Sequence, residues 1–209
     1  MNLAFLSNRY YLKFGLDRDP FPPKSTLKKL FLTQDLAGLL DQLSCAIKTQ
    51  SETLVVESAA GAGKSVLADY LSFTSQANWH LSLIRGNATM RKLELGHAII
   101  SQHFPGHRFD KTRSDMILQE FLELYERNAK LPVLVIDDAH LLPQDTLKFV
   151  LQIASLRCNE VRYRFVLFAD PSINRQLDLP SLQEIDSGQR EHFKIPSFSK
   201  RCNRWLIRS

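Results

Sequence analysis

Apolar residues recur along this chain in two rhythms, and the rhythms alternate. Leu36, Leu39, Leu40, Leu43 and Ile47 fall at helical spacing after Thr33, which predicts a capped helix to about Thr49. Thr53-Leu54-Val55-Val56 is a short run rich in β-branched residues and predicts a strand, and a helical stretch from Val66 to Leu71 follows. Trp79–Ile84 predicts the next strand. Residues 90–104 and about 113–128 predict two helices, divided at Pro105-Gly106. The second would show Met116, Leu118, Phe121, Leu122 and Tyr125 to the core. Leu131–Ile136 is nearly all apolar, the mark of a strand buried on both faces of a parallel sheet. A helix opening at Pro143 follows, with Leu147, Val150, Leu151 and Ala154 on its inner side. Arg164–Ala169 predicts another buried strand, Pro171 a short helix, and Phe193–Pro196 a last strand. Strands alternating with helices imply right-handed crossovers and a three-layer α/β fold. Ahead of all this, residues 1–33 form an aromatic arm, expected to pack on the core, whose Asp19-Pro20-Phe21-Pro22-Pro23 stops any helix.

Composition narrows this picture. With 209 residues, 44% hydrophobic and 23% charged, the chain can bury a real core. No run approaches the ~20 apolar residues of a membrane span. Met1–Tyr10 lacks the basic-then-apolar order of a signal peptide, so a cytoplasmic location is expected. Cys45, Cys158 and Cys202 form no C-x-x-C pair and suggest a reducing compartment rather than a disulfide framework or zinc site. The net charge is +5, and residues 190–209 carry six basic residues against Glu191 alone, so the excess belongs to the tail. A solvated tail accounts for it; contact with nucleic acid or an acidic membrane surface is the other reading.

The chemistry concentrates where the first strand ends. Ser58-Ala59-Ala60-Gly61-Ala62-Gly63-Lys64-Ser65 runs from strand to helix, the context of a phosphate-binding P-loop. Gly61 and Gly63 can adopt positive φ and turn backbone N–H groups toward an anion. The following helix, from Lys64 through Val66, adds its unpaired N–H groups and the positive end of its dipole. Lys64 would place its ammonium on the β- and γ-phosphates, and Ser65 Oγ would coordinate Mg2+. Ser58 stands where the motif G-x-x-x-x-G-K-[ST] has glycine, so the strand exit must be sterically ordinary there. The plainer alternative is a glycine turn before an ordinary helix, with Lys64 in solvent.

A second motif favours the phosphate reading. The strand Val133–Ile136 ends in Asp137-Asp138-Ala139-His140. An acid at the C-terminal end of such a strand is the Walker B pattern, in which Asp137 would join Ser65 in holding Mg2+. Asp138 would orient the attacking water, although its side chain is one methylene shorter than the usual Glu. Both acids could instead be turn caps. His140 fits a supporting group in the loop better than a catalytic base. No nucleophile–histidine pairing is suggested.

With these pieces in place the chain resembles AAA+ ATPases of the ORC1/DEAH-like group. Within it the chain looks like the ATPase domain of ExeA-type general secretion proteins, their pilus-biogenesis relatives, and DamX-type cell-division proteins. The resemblance rests on Phe14-Gly15-Leu16 with Pro20-Phe21, Gly61–Ser65, Val135–Leu142, Val166–Pro171 and Ile195–Ser199. It implies a P-loop NTPase sandwich with a mainly parallel five-stranded sheet in the order 5-1-4-3-2, occupying residues 34–197. It also implies ATP as the nucleotide, and assembly into homo-oligomers or with a protein partner. Asp170 would occupy the place of the sensor that meets the γ-phosphate, and Arg190 lies near where relatives carry an Arg acting across a subunit interface. Residues 198–209 would begin a helical lid that the chain does not complete. The implied function is ATP binding and hydrolysis coupled to assembly or remodelling of a partner complex of secretion, pilus or cell-division type. A nucleotide switch with little hydrolysis and a DNA-associated ATPase are the alternatives.

Overall fold

Four apolar runs and one largely polar edge strand pair side by side to make the centre of the computed structural model. They are β1 (Thr53–Glu57), β2 (Trp79–Arg85), β3 (Leu131–Asp137), β6 (Arg164–Ala169) and β7 (Arg190–Lys194). The sheet is all parallel, in the order β2-β3-β6-β1-β7, which is the 5-1-4-3-2 order expected. Described are Gly15 and residues 32–49, 53–106, 114–126, 130–155, 157–158, 161–185 and 190–196. The chain divides into two units, Met1–Leu32 and Thr33–Ser209. The arm, apart from Gly15 and residues 32–33, and the expected lid lie outside the described residues.

The three interior strands, β3, β6 and β1, are buried nearly end to end, because helices cover both faces of a parallel sheet. These helices are α1 (Gln34–Thr49), α2 (Lys64–Phe73), α3 (Lys92–His103), α4 (Ser114–Glu126) and α5 (Gln144–Ser155). Two short ones, α6 (Ile173–Leu177) and α7 (Pro180–Gln183), follow β6. Thr33 caps α1 as expected, its Oγ1 accepting the Leu36 N–H at 3.3 Å. The five apolar residues predicted for the inner face of α1 are all buried.

Three details differ from the sequence reading. In α4, the side chains of Leu118, Leu122 and Tyr125 lie outside those described; Phe121 is fully buried as expected, but Met116 is exposed and Ile117 takes the inner place. The cause is Gly96 on α3: Ile117 fills the space a Cβ there would need, with Cγ2 only 2.7 Å from that position. The last strand is Arg190–Lys194 rather than Phe193–Pro196, because its register is set by pairing with β1. A small antiparallel ladder, β4 (Arg157–Cys158) with β5 (Val161–Arg162), precedes β6 and was not anticipated.

Candidate functional site

The C-terminal ends of β1, β3 and β6 lie side by side, and the site is built on the three turns that leave them. From β1 the chain enters the Gly-rich loop. Ser58 is buried, and its N–H donates to the Ala169 carbonyl of β6 at 3.2 Å. Its Oγ donates to the Ala59 carbonyl at 3.3 Å. Its backbone stays outside the left-handed region, so a side chain is accommodated where the motif has glycine. Gly61 and Gly63 do adopt that region, with φ of 78° and 90°. A side chain would be strained at either position.

Gly63 precedes α2 and offers no side-chain cap to the helix's first N–H groups. An uncapped helix start aimed at a cleft favours an anion. Lys64 is buried, and its Nζ donates to the carbonyls of Ser58 and Ala59, both at 3.0 Å. The ammonium is thereby held over the loop rather than in solvent. Ser65 and Val66 follow on the first turn of α2, which packs against β3 and β6.

From β3 comes the acidic turn. Asp137 is 1% exposed, and its Oδ1 accepts the Asp138 N–H at 3.1 Å. Asp138 has φ 54° and ψ 40°, the one left-handed non-glycine residue among those described. That geometry costs an ordinary residue ~1–2 kcal/mol, but a short polar side chain tolerates it better. Gly86, just past β2, supports this turn. Its N–H donates to the Asp137 carbonyl at 2.7 Å, and a Cβ on it would lie 2.7 Å from the Asp138 carbonyl oxygen. Nothing in the sequence reading singled out Gly86, although a glycine closing a strand is a known sign of close backbone approach.

From β6 comes Asp170. Its Oδ1 accepts the Ser172 N–H at 2.9 Å and the Ser172 hydroxyl. The hydroxyl first, then the N–H, hold its carboxyl below the ordinary carboxylate value, with His140 and Lys64 adding to the effect. The Asp170 N–H points at His140 Nδ1 at 3.4 Å, and His140 Nε2 is 3.8 Å from Asp170 Oδ2. His140 thus pairs with Asp170, as a supporting group would.

Ala60, Gly61, Gly63, Lys64, Ser65 and Val66 line one cleft of about 350 Å³ together with Asp138, His140 and Asp170. Behind the loop, Glu57 is buried, and its Oε1 accepts from Asn174 Nδ2 at 3.0 Å and contacts His192 Nδ1 at 2.8 Å. Burial acts to raise its pKa. The two hydrogen bonds and the charges of His192 and Lys194 outweigh that and leave it below its ordinary value. Glu57 therefore ties the root of the loop to α6 and β7, a role the sequence alone did not suggest.

Arg190 is not brought to the cleft. It pairs in register with Thr53, at the far end of β1 from the loop. Four residues of strand put it ~13 Å away. Its guanidinium donates to the Leu177 carbonyl at 3.0 Å and approaches Asp178 at 3.8 Å.

A family model described as "AAA domain" matches residues 47–177, which covers the loop, the acidic turn, Asp170 and α6. The chain belongs to the AAA domain family. No curated protein matches the sequence of this AAA domain. Among solved structures it is similar to Cdc6p from Pyrobaculum aerophilum, with a TM-score of 0.66 at 15% identity over 87% of this chain and 51% of that one. It is similar to the ORC2 protein of Aeropyrum pernix, solved as ADPNP-ADP complexes (TM-score 0.58, 14% identity, 96% and 55% coverage). It is also similar to the ORC1 protein of the same organism, solved in complex with DNA (TM-score 0.57, 16% identity, 83% and 47% coverage). The AAA domain thus spans about half the length of these chains, and the likeness is one of fold. Among the described residues no helix is long and apolar enough to cross a membrane.

Proposed function

We propose that this AAA domain binds ATP with Mg2+, hydrolyses it, and uses the cycle to assemble or remodel a partner complex. One observation carries the reading: Lys64 and the two left-handed glycines line the same cleft as Asp138 and Asp170, with Asp137 at the root of the acidic turn. The N–H groups of Gly61–Ser65 and the start of α2 would cradle the phosphates, and Lys64 would exchange its loop carbonyls for phosphate oxygens. A hydroxyl and a carboxylate are the hard oxygen donors Mg2+ takes, so Ser65 and Asp137 fit it. When bound, the ion would neutralise charge on the phosphate oxygens. Asp138, presented to the cleft by its left-handed backbone, would orient the water that attacks the γ-phosphorus as the bond to ADP breaks.

Likeness in fold to ORC proteins solved as nucleotide complexes or with DNA supports the nucleotide, and a DNA-associated role is the alternative reading. A secretion, pilus or cell-division partner follows from the ExeA- and DamX-type resemblance alone. Oligomerisation and a cytoplasmic location, where ATP is abundant, belong to the same proposal. The contacts of Arg190 favour a clamp on the turn after α6 over a residue reaching a neighbour's nucleotide.

The test is nucleotide binding and steady-state turnover on the same sample. Lys64→Ala is expected to weaken binding by ~10²-fold or more, and Asp137→Ala to lower turnover by ~10²–10³-fold. Tight binding with no turnover would favour the switch reading, which the short side chain of Asp138 already invites. A folded protein that binds no nucleotide would overturn the proposal.

A further inference from the structure

The walls of the cleft are unevenly charged. The lining carries one cation, Lys64, against two carboxylates, Asp138 and Asp170, and buried Asp137 adjoins Asp138 in the chain. The lining groups are therefore formally negative by one charge, before any polyanion enters. An anion can be drawn in by Lys64 and the start of α2, yet every phosphate beyond those two attractors meets like charge.

Asp170 is placed to decide how much. It follows Ala169, whose carbonyl accepts the Ser58 N–H at the root of the loop. Asp170 is thus beside the phosphate cradle and feels the charge of Lys64. Its carboxylate is not free to swing away: Oδ1 accepts both donors of Ser172, and Oδ2 faces the His140 ring at 3.8 Å. In a cleft of about 350 Å³ that Lys64 and Asp170 both line, an anion held by Lys64 lies within several ångströms of Asp170. At that range a carboxylate fixed in place repels a terminal phosphate even though its side chain is 37% exposed and water screens part of the charge.

We infer that Asp170 makes the cleft discriminate by phosphate number, disfavouring a triphosphate unless a divalent cation enters with it. The inference rests on the nucleotide reading above. It goes further in assigning to one side chain the preference between diphosphate and triphosphate, and the cation dependence of that preference.

The experiment is titration of the full chain with ADP and ATP, each in EDTA and in Mg2+, for wild type and Asp170→Asn. Asparagine keeps an oxygen for the two Ser172 donors, and thermal unfolding checks that the fold is retained. In EDTA the wild type is expected to bind ADP more tightly than ATP, and Mg2+ to close the gap. Asp170→Asn is expected to strengthen ATP binding in EDTA by about tenfold and to change ADP by less than about threefold. An equal change for both nucleotides, or none, would overturn this inference and leave Asp170 as a turn cap, with nucleotide binding intact. Failure of either folded protein to bind any nucleotide would overturn the nucleotide reading, and this inference with it.

Discussion

A methyl group on Gly86 would sit 2.7 Å from the Asp138 carbonyl oxygen and 3.1 Å from that of Asp137. Both are backbone atoms, so the acidic turn itself would have to move. Gly86→Ala is expected to cost ~1–3 kcal/mol, measured by urea unfolding, and to lower turnover more than nucleotide affinity. The glycine was visible in the sequence, but its neighbour across the sheet was not. Glu57 escaped notice for the same reason, since Asn174 and His192 lie 117 and 135 residues away. His103 carries a different prediction. It is 4% exposed and stacked on His80 at 4.3 Å, and burial first, then the His80 charge, push its pKa from 6.5 down to about 3. Between those values the unfolded chain binds a proton that the folded chain refuses, so stability falls as pH falls from 6.5 toward 3. At pH 5 the loss from this one group is ~2 kcal/mol. Denaturant melts at pH 7.5 and pH 5 would measure it, and His103→Phe should flatten that limb.

Helices α1 and α5 could be read from spacing because each offers a single apolar stripe. The α4 sequence offers two, since Met116, Ile117 and Leu118 are adjacent, and only the notch at Gly96 selects between them. The start of β7, Arg190-Glu191-His192, is polar, and β7 is an edge strand with β1 as its one neighbour in the sheet, so no apolar rhythm announces it. The other edge is managed differently. On β2, the Leu83 N–H donates to Gln102 Oε1 and the Leu83 carbonyl accepts from Gln102 Nε2, both at 3.2 Å. The α3 amide thus takes the place of a further strand and blunts a surface that would otherwise recruit one. Gln102→Ala is expected to cost ~1 kcal/mol and to raise self-association, seen by light scattering over a concentration series.

The parallel sheet gathers the ends of β1, β3 and β6 along one edge, which is why motifs 70 residues or more apart in sequence meet in one cleft. Two of its three turns were legible as motifs, because phosphate chemistry demands particular residues there. Arg190 was not placed by such a rule, and parallel register carries it to the opposite edge beside Thr53. The same strand order has a consequence in time. The strand that bears the Gly-rich loop is the first of the five in the chain, yet it pairs only with the fourth and fifth: Thr53 meets Phe165 on one side and Arg190 on the other. A growing chain therefore carries β1 unpartnered for more than a hundred residues, through the making of every strand and helix that could not hold it. Closure over such separations is slow, and the waiting strand is exposed to wrong partners. The cradle is encoded early, but the strands that flank it on both sides come more than a hundred residues later in the chain.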